Sequence, residues 1–529
     1  MELLPSAHLD TFCRDHLPPA EQWPELVFEL PELLYPDRLN CATALLDDVI
    51  EQHGADRPCL HAPGQETWTY ADLLATSNRI AHVLVDDLGI VPGNRILLRG
   101  PNNPLLAACW FAVLKAGAVA VTTMALLRPG ELRTIHEIAQ LDAALVEHRF
   151  LEDAKGLGVP TLAYGGPEPD DLTQRMVPKP ARFRDVPTSC DDVALLAFTS
   201  GTTGRPKATM HFHRDVLAIC DTFSRHVLRP DRDDVFTGTP PFAFTFGLGA
   251  VLLFPVHAGA STLLVEKATP NELADLIAEF KVTICATAPT AYKAMLATGA
   301  TLPTLTKAVS AGEHLPAAIW QAFKDATGVG IIDGIGATEM LHIFIGAAGD
   351  DIRPGSTGRA VPGYTAGVVD DQGHEVPDGE VGHLAVKGPT GCRYLADDRQ
   401  RSYVHGGWNI TGDTFRRDAD GYFWYQARSD DMIISSGYNI AAPEVEEALL
   451  RHPRVTECAV VGVPDSARGS VVKAFVVLTG DAPVTAHELQ DFVKAGIAPY
   501  KYPRVIEFVD QLPRTATGKL QRFRLRAGA

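Results

Sequence analysis

The sequence predicts an α/β protein: a large N-terminal domain of layered α/β units that carries a β-rich subdomain, followed by a small α+β C-terminal domain. Three observations predict it. Short apolar runs alternate with helical patterns through most of the chain. From about Gly355 the texture changes to short strands separated by Gly, Asp and Pro turns, ending near Tyr425. After Arg428 comes a compact tail with its own helix and strands. The expected division is 1–429 and 430–529, with the β-rich part at about 355–425.

The elements follow in order. RILLRG (95–100) reads as a buried strand, LLAACWFAVLKAG (105–117) as a helix, AVAVTT (118–123) as a strand, ELRTIHEIAQ (131–140) as a helix and AALVEH (143–148) as a strand. The same alternation returns in VTICATA (282–288), TAYKAMLATG (290–299), KAVSAG (307–312) and PAAIWQAFKDATG (316–328), the pattern of layers with largely parallel strands. In the tail, APEVEEALLRHP (442–453) has a proline near its first turn and early acids, both suited to a helix start. ECAVVGV (457–463) and VKAFVVL (472–478) supply strands beside it. The apolar stretch from Leu105 to Leu127 is broken by Lys115 and Gly117 into a helix-like and a strand-like half, unlike a membrane span.

Over 529 residues, 47 Lys+Arg face 65 Asp+Glu, a net charge of −18, with 46% hydrophobic and 21% charged residues. Such a chain buries a large core and is not disordered. Its acidic excess repels nucleic acid and anionic lipid surfaces, and with no basic patch neither is an expected partner. The same excess opposes a polyphosphate ligand unless N–H groups, placed cations and a metal ion neutralise it locally. The start, MELLPSAHLD, has neither the basic nor the long apolar region of a secretory leader, so the cytoplasm is the expected compartment. Nine scattered cysteines without a C-x-x-C pair argue against a disulfide framework or zinc site and are expected mostly as small buried hydrophobes.

The strongest local signal is Thr199, Ser200, Gly201, Thr202, Thr203, Gly204, Arg205, Pro206 and Lys207, directly after the apolar run VALLAF (193–198). Two glycines allow a tight turn that aims N–H groups at an anion, four hydroxyls add donors, and Lys207 adds a mobile positive charge, a combination suited to polyphosphate. A Walker loop is ruled out, because Pro206 precedes the lysine and Ala208 follows it. A solvated Ser/Thr/Gly loop is the bland alternative. Four further motifs follow: GATE (336–339), WNITGD (408–413), ARSDDMI (427–433) and PRTATGK (513–519).

Together these five motifs, spread over nearly the whole chain, resemble the signature of the adenylate-forming superfamily, which includes acyl- and aryl-CoA synthetases, peptide-synthetase adenylation domains and firefly-type luciferases. PFAFTFGLG (241–249), DGIGATEMLHIF (333–344) and GYFWYQARSDDMIISSGYNIAAPEVE (421–446) are similar to bacterial benzoate-CoA and 2-aminobenzoate-CoA ligases. The resemblance implies an ATP-dependent aryl-CoA ligase. An aromatic carboxylate such as benzoate or 2-aminobenzoate and ATP give an acyl-adenylate and pyrophosphate, and CoA then displaces AMP. The implied cofactors are ATP and Mg²⁺, with CoA as co-substrate, and the pattern is compatible with a homodimer.

By the same resemblance, Lys519, Thr338 and Glu339 are catalytic. Glu339 holds the Mg²⁺, where a hard cation wants a carboxylate oxygen. Thr338 bonds the α-phosphate, and Lys519 offsets repulsion between the carboxylate and that phosphate. The nucleotide residues are the 199–204 loop, Lys207, Asp333, Gly334 and Ile335, with Asp413 accepting both ribose hydroxyls and Arg428 reaching ribose and phosphates. Phe244, Phe246, Gly247, Gly336, His342 and Ile343 line the acyl pocket. Small residues and flat rings there suit an aromatic acid, although a core-filling role for His342 is an equal alternative. Asp430 is the hinge of a mobile C-terminal domain, and Gly437 belongs to the CoA face. Phe244, Ile335, Ala427, Ile434 and Asn439 depart from the common pattern, where histidine, tyrosine, glycine, lysine and arginine are frequent, which leaves the gate and the CoA contacts open. The rival readings are an enzyme loading an aryl acid onto a carrier protein, a medium-chain acyl-CoA synthetase, and a non-enzymatic nucleotide-binding protein.

Overall fold

The structure, a computed structural model, describes residues 3–199, 206–428, 433–435, 438–465, 469–480, 484–497, 501–514 and 520–527. Among these residues six strands form a first sheet in the order Thr161–Tyr164, Ala143–Glu147, Arg95–Arg99, Val119–Thr123, Val193–Thr199, Lys207–Phe212. The first five are parallel and the last pair is antiparallel. A second sheet of nine strands has a parallel centre that includes Ile284–Thr287, Lys307–Ser310 and Ile331–Gly336. Both sheets use the runs that the sequence marks as strands, and the intervening segments form the helices Pro104–Lys115, Pro129–Ala139, Pro289–Ala297 and Ala317–Thr327.

Burial explains why two of these helices look so different in sequence. Pro129–Ala139 buries only Leu132, Ile135 and Ala139, one stripe against a sheet. Pro104–Lys115 buries nearly every residue, and its Leu106, Trp110 and Phe111 share a core with Leu217, Phe223 and Phe254 from later in the chain. A helix covered on all sides must be apolar all round. Truncating Trp110 to alanine there would cost about 3–5 kcal/mol. Its start is set by Asn103, whose side chain accepts from the Leu106 N–H, and by Pro104 in the first turn. No described helix is long and apolar enough to cross a membrane. All nine cysteines are free thiols, eight buried and Cys458 half-buried.

The β-rich region is antiparallel: Thr365–Val369, Val381–Lys387, Trp408–Arg417 and Phe423–Arg428 pair in turn, with Val404–His405 on the edge. Beyond it, Val455–Asp465, Gly469–Leu478 and Val505–Phe508 form a small sheet packed by the helices Ala442–Leu450 and Ala486–Gly496. Ile440, Val445, Leu449, Val460, Val476, Leu489 and Val493 give this small α+β unit a core of its own. Lys293 reaches the Thr456 carbonyl across to it.

Candidate active site

The phosphate-type loop is the connection of a hairpin. Thr199 and Lys207 stand opposite each other as the last and first residues of paired strands. Ser200, Gly201, Thr202, Thr203 and Gly204 lie outside the described residues. Arg399, paired with Asp397, lies 3.4 Å from the Pro206 carbonyl and braces the hairpin stem.

From this stem Lys207 projects to a residue far along the chain. Its Nζ lies 3.4 Å from Glu339 Oε1, bonds the Tyr394 hydroxyl and sits 4.3 Å above the Tyr394 ring. Tyr394 also donates its hydroxyl to Glu339 Oε1. Burial and the Glu339 carboxylate both push the Tyr394 phenol upward, so it remains a proton donor. Glu339 sits in the short turn Thr338–Met340, just after the strand Ile331–Gly336, and is 7% exposed. A carboxylate this buried needs partners, and a tyrosine hydroxyl and an ammonium supply them. The same hairpin arm holds the preceding residue: His211 Nε2 donates to the Thr338 carbonyl at 2.8 Å. Behind His211, Asp215 forms a fully buried ion pair with Arg393, the neighbour of Tyr394. Burial alone would raise the Asp215 carboxyl, but Arg393 and His211 outweigh it and hold it low.

The other residues expected at the nucleotide sit near this turn or on the β-rich sheet. Asp413 and Arg428 are register partners on adjacent strands, Asp413 being 7% exposed, while the Arg428 side chain lies outside what the structure describes. Gly334 and Ile335 belong to the strand that leads into the Glu339 turn. On that strand Asp333 has a buried Oδ1 with no hydrogen-bond partner, and burial raises its pKa well above the usual carboxylate range. Lys519, Asp430 and Gly437 lie outside the described residues.

Three residues past Glu339, after Leu341 at φ +67°, the chemistry turns apolar. His342 is 2% exposed, with ring centroids 4.5 Å from Phe254, 5.4 Å from Phe223 and 5.7 Å from Phe246. Neither ring nitrogen makes a hydrogen bond of good geometry, and burial, outweighing the upward pull of the Phe246 backbone, lowers the pKa to about 3, so the ring is neutral. Gly249 makes the packing possible: a Cβ there would lie 2.4 Å from His342 Cδ2. Gly247 has an equally strict role, since a Cβ would fall 2.3 Å from the Pro241 carbonyl oxygen. Ile343 is buried over Gly334, and Gly336 faces the His342 backbone. Phe244 stands apart, 37% exposed, at the turn that Asn102 pins through the Pro240 carbonyl and the Phe242 N–H.

The structure thus joins Lys207, Thr338 and Glu339 at one place and Phe246 and His342 at another. Sequence reasoning missed Tyr394, His211, Phe223, Phe254, Gly249 and Asn102. Of these, only Gly249 carried a visible signal, as the second glycine of PFAFTFGLG. For a divalent cation the donor set fits: Glu339 offers a hard, charged oxygen beside a tyrosine hydroxyl.

The family model described as AMP-binding enzyme matches residues 46–394, and that of the AMP-binding enzyme C-terminal domain matches 444–519. The chain belongs to the AMP-binding enzyme family. Among relatives of this AMP-binding enzyme, a benzoate–CoA ligase of Thauera aromatica is 34% identical over 94% of this chain and 97% of its own length. The human mitochondrial acyl-coenzyme A synthetase ACSM5 is 30% identical, over 98% of this chain and 96% of its own. The crystal structure of the anthranilate CoA ligase AuaEII in complex with anthranoyl-AMP superposes with a TM-score of 0.89 at 35% identity, covering 94% of this chain and 99% of that one. As the motifs imply, this AMP-binding enzyme is adenylate-forming, with the large N-terminal and smaller C-terminal architecture of that superfamily.

Proposed function

We propose that the protein is an ATP-dependent aryl-CoA ligase for a benzoate- or 2-aminobenzoate-type acid. The observation that carries this reading is the juxtaposition, within one short segment, of the charged Thr338–Glu339 turn and the ring-lined surroundings of His342. An aromatic acid held by rings and glycines would present its carboxylate toward the residues that handle ATP.

In the first half-reaction a carboxylate oxygen attacks the α-phosphorus and pyrophosphate leaves. Lys207 and the 199–204 loop hold the polyphosphate, Thr338 the α-phosphate, and Asp413 and Arg428 the ribose, with Asp333, Gly334 and Ile335 beside the nucleotide. Glu339 would hold a Mg²⁺ that enters with ATP and supplies positive charge against the phosphates. Lys519 bridges the two anions as they approach. In the second half-reaction the CoA sulfur attacks the acyl carbon, its proton is lost and AMP leaves. For this step a C-terminal domain, 430–529, turns about Asp430 and brings the Gly437 face to the thiol. The 30% identity to an acyl-coenzyme A synthetase favours one second reading, a medium-chain acyl-CoA synthetase.

The deciding experiment supplies ATP, Mg²⁺ and CoA with benzoate, 2-aminobenzoate, hydroxybenzoates, phenylacetate and medium-chain acids, and measures AMP and acyl-CoA. Benzoate or 2-aminobenzoate is expected to give the highest kcat/KM, and a preference for medium-chain acids would support the second reading. Adenylate without thioester on free CoA would overturn the ligase reading and point to a carrier protein. Asp430→Pro, which stiffens the hinge, is expected to slow thioester formation more than pyrophosphate release, and the opposite order would count against rotation.

A further inference from the structure

We propose that Tyr394 is a positioning residue for ATP activation: its hydroxyl orients the Glu339 carboxylate for a divalent cation while its ring and hydroxyl hold the Lys207 ammonium beside it. This rests on the reading of Glu339 as the carboxylate that receives the cation, and it adds a residue that none of the sequence motifs contains.

The geometry is specific. The Tyr394 hydroxyl and Lys207 Nζ both approach Glu339 through Oε1. The other oxygen is then the one available to a cation. The two donors are not equivalent: an ammonium neutralises the carboxylate it pairs with, whereas a hydroxyl orients it and leaves its charge in place. With Tyr394 holding Glu339, Lys207 can shift toward a phosphate without releasing the carboxylate rotamer.

Tyr394 is itself clamped. Its N–H donates to Gln400 Oε1 at 2.9 Å, and its ring meets Tyr403 edge-on at 5.8 Å. The residues on either side bond to the hairpin arm that carries Lys207, with Met210 N–H donating to the Arg393 carbonyl at 2.7 Å and Leu395 N–H to the Ala208 carbonyl at 2.9 Å. The Arg393–Asp215 ion pair lies buried beneath them. Lys207, the His211 contact to Thr338 and Tyr394 therefore form one rigid unit facing the Thr338–Glu339 turn, the arrangement expected of a shell that supports a ligating carboxylate.

The test uses the full-length protein and Mn²⁺ with ATP as the probe. Tyr394→Phe keeps the ring, and with it the ring contacts to Lys207 and Tyr403, and deletes the hydroxyl with its bonds to Glu339 and Lys207. Mn²⁺ affinity of the ATP complex, read by electron paramagnetic resonance titration, is expected to fall about tenfold. Tyr394→Phe combined with Glu339→Gln is expected to bind Mn²⁺ no worse than Glu339→Gln alone, because the hydroxyl acts through that carboxylate. Mn²⁺ affinity within about twofold of wild type in Tyr394→Phe, or losses that simply add in the double variant, would overturn the proposal. If Glu339→Gln itself leaves Mn²⁺ binding unchanged, the reading of Glu339 fails and the proposal with it. Loss in Glu339→Gln with none in Tyr394→Phe removes the tyrosine's role alone. This cycle separates orientation from a general loosening of the fold, which would weaken binding in the Glu339→Gln background as well.

Discussion

Glu339 and His342 lie three residues apart, yet the protein treats their polar atoms in opposite ways. Around Glu339 polar groups meet polar partners: a hydroxyl and an ammonium on Oε1 of the carboxylate, an imidazole on the Thr338 carbonyl. At His342 neither ring nitrogen makes a hydrogen bond of good geometry among three phenylalanine rings, and the position is shaped by a missing side chain at Gly249. The first region fixes direction, through hydrogen bonds that are lost when an atom moves by a few tenths of an ångström. The second fixes volume, through contacts that depend on which atoms are absent. In the proposed reaction these correspond to a nucleotide side that is the same for every acid and an acyl side that distinguishes one acid from another.

That correspondence can be broken experimentally. The largest expected effect is on the nucleotide side: Lys519→Ala should slow adenylation by about 10²–10³, to the same degree for benzoate and for a poorer acid, while thioester formation from supplied acyl-adenylate persists. Pyrophosphate exchange and thioester assays measure the two steps, and equal losses in both would contradict the division. On the acyl side, Gly249→Ala forces the His342 ring to move, at a cost of about 1–3 kcal/mol in unfolding free energy. It should change the kcat/KM ratio between benzoate and a ring-substituted acid and leave the KM for ATP unaltered. A KM for ATP that moves as much as the KM for the acid would show that the two regions are one.

The smallest effect sharpens the account of His342. Its folded pKa of about 3 lies below the ordinary value of 6.5, so the unfolded chain takes up a proton that the fold refuses. Stability contributed by the neutral ring is therefore full at pH above 6.5 and declines as pH falls toward 3, by about 1 kcal/mol between pH 6.5 and 5.5. Denaturant titrations of His342→Leu should lack this share of the decline, and at pH 8 the variant should be no less stable than wild type, since no unpaired nitrogen is left buried. An unchanged pH slope would mean that His342 is solvated in the fold.

Much of the fold was legible in the chain because apolar periodicity and local turn chemistry report burial directly. RILLR, VAVTT and the helix between them were readable, and even the apolar uniformity of Pro104–Lys115 was visible, although why it is uniform became clear only from the second layer covering it. Lys207 and Glu339 were legible because each sits in a dense local motif. Tyr394 was not: one tyrosine among GCRYLADD carries no spacing signal, and its role arises only from meeting a carboxylate 55 residues earlier in the chain. His342 could be read as a substrate contact or as a core residue, and the structure surrounds it with rings contributed by segments whose own sequences show only hydrophobicity. Phe244, read as a pocket wall from its place in PFAFTFGLG, is 37% exposed and outside the ring cluster around His342.

Read alone, the chain carries the alternation of strands and helices, the glycines, hydroxyls and lysine of 199–207, and carboxylates and cations set in dense local motifs. These are properties of short windows, in which period, glycine placement and side-chain charge act over a few residues. Tertiary structure alone decided which donors meet Glu339, which rings enclose His342 and where a Cβ is forbidden. Those outcomes depend on atoms brought within about 4 Å from distant parts of the chain, where packing and desolvation act and no local pattern records them.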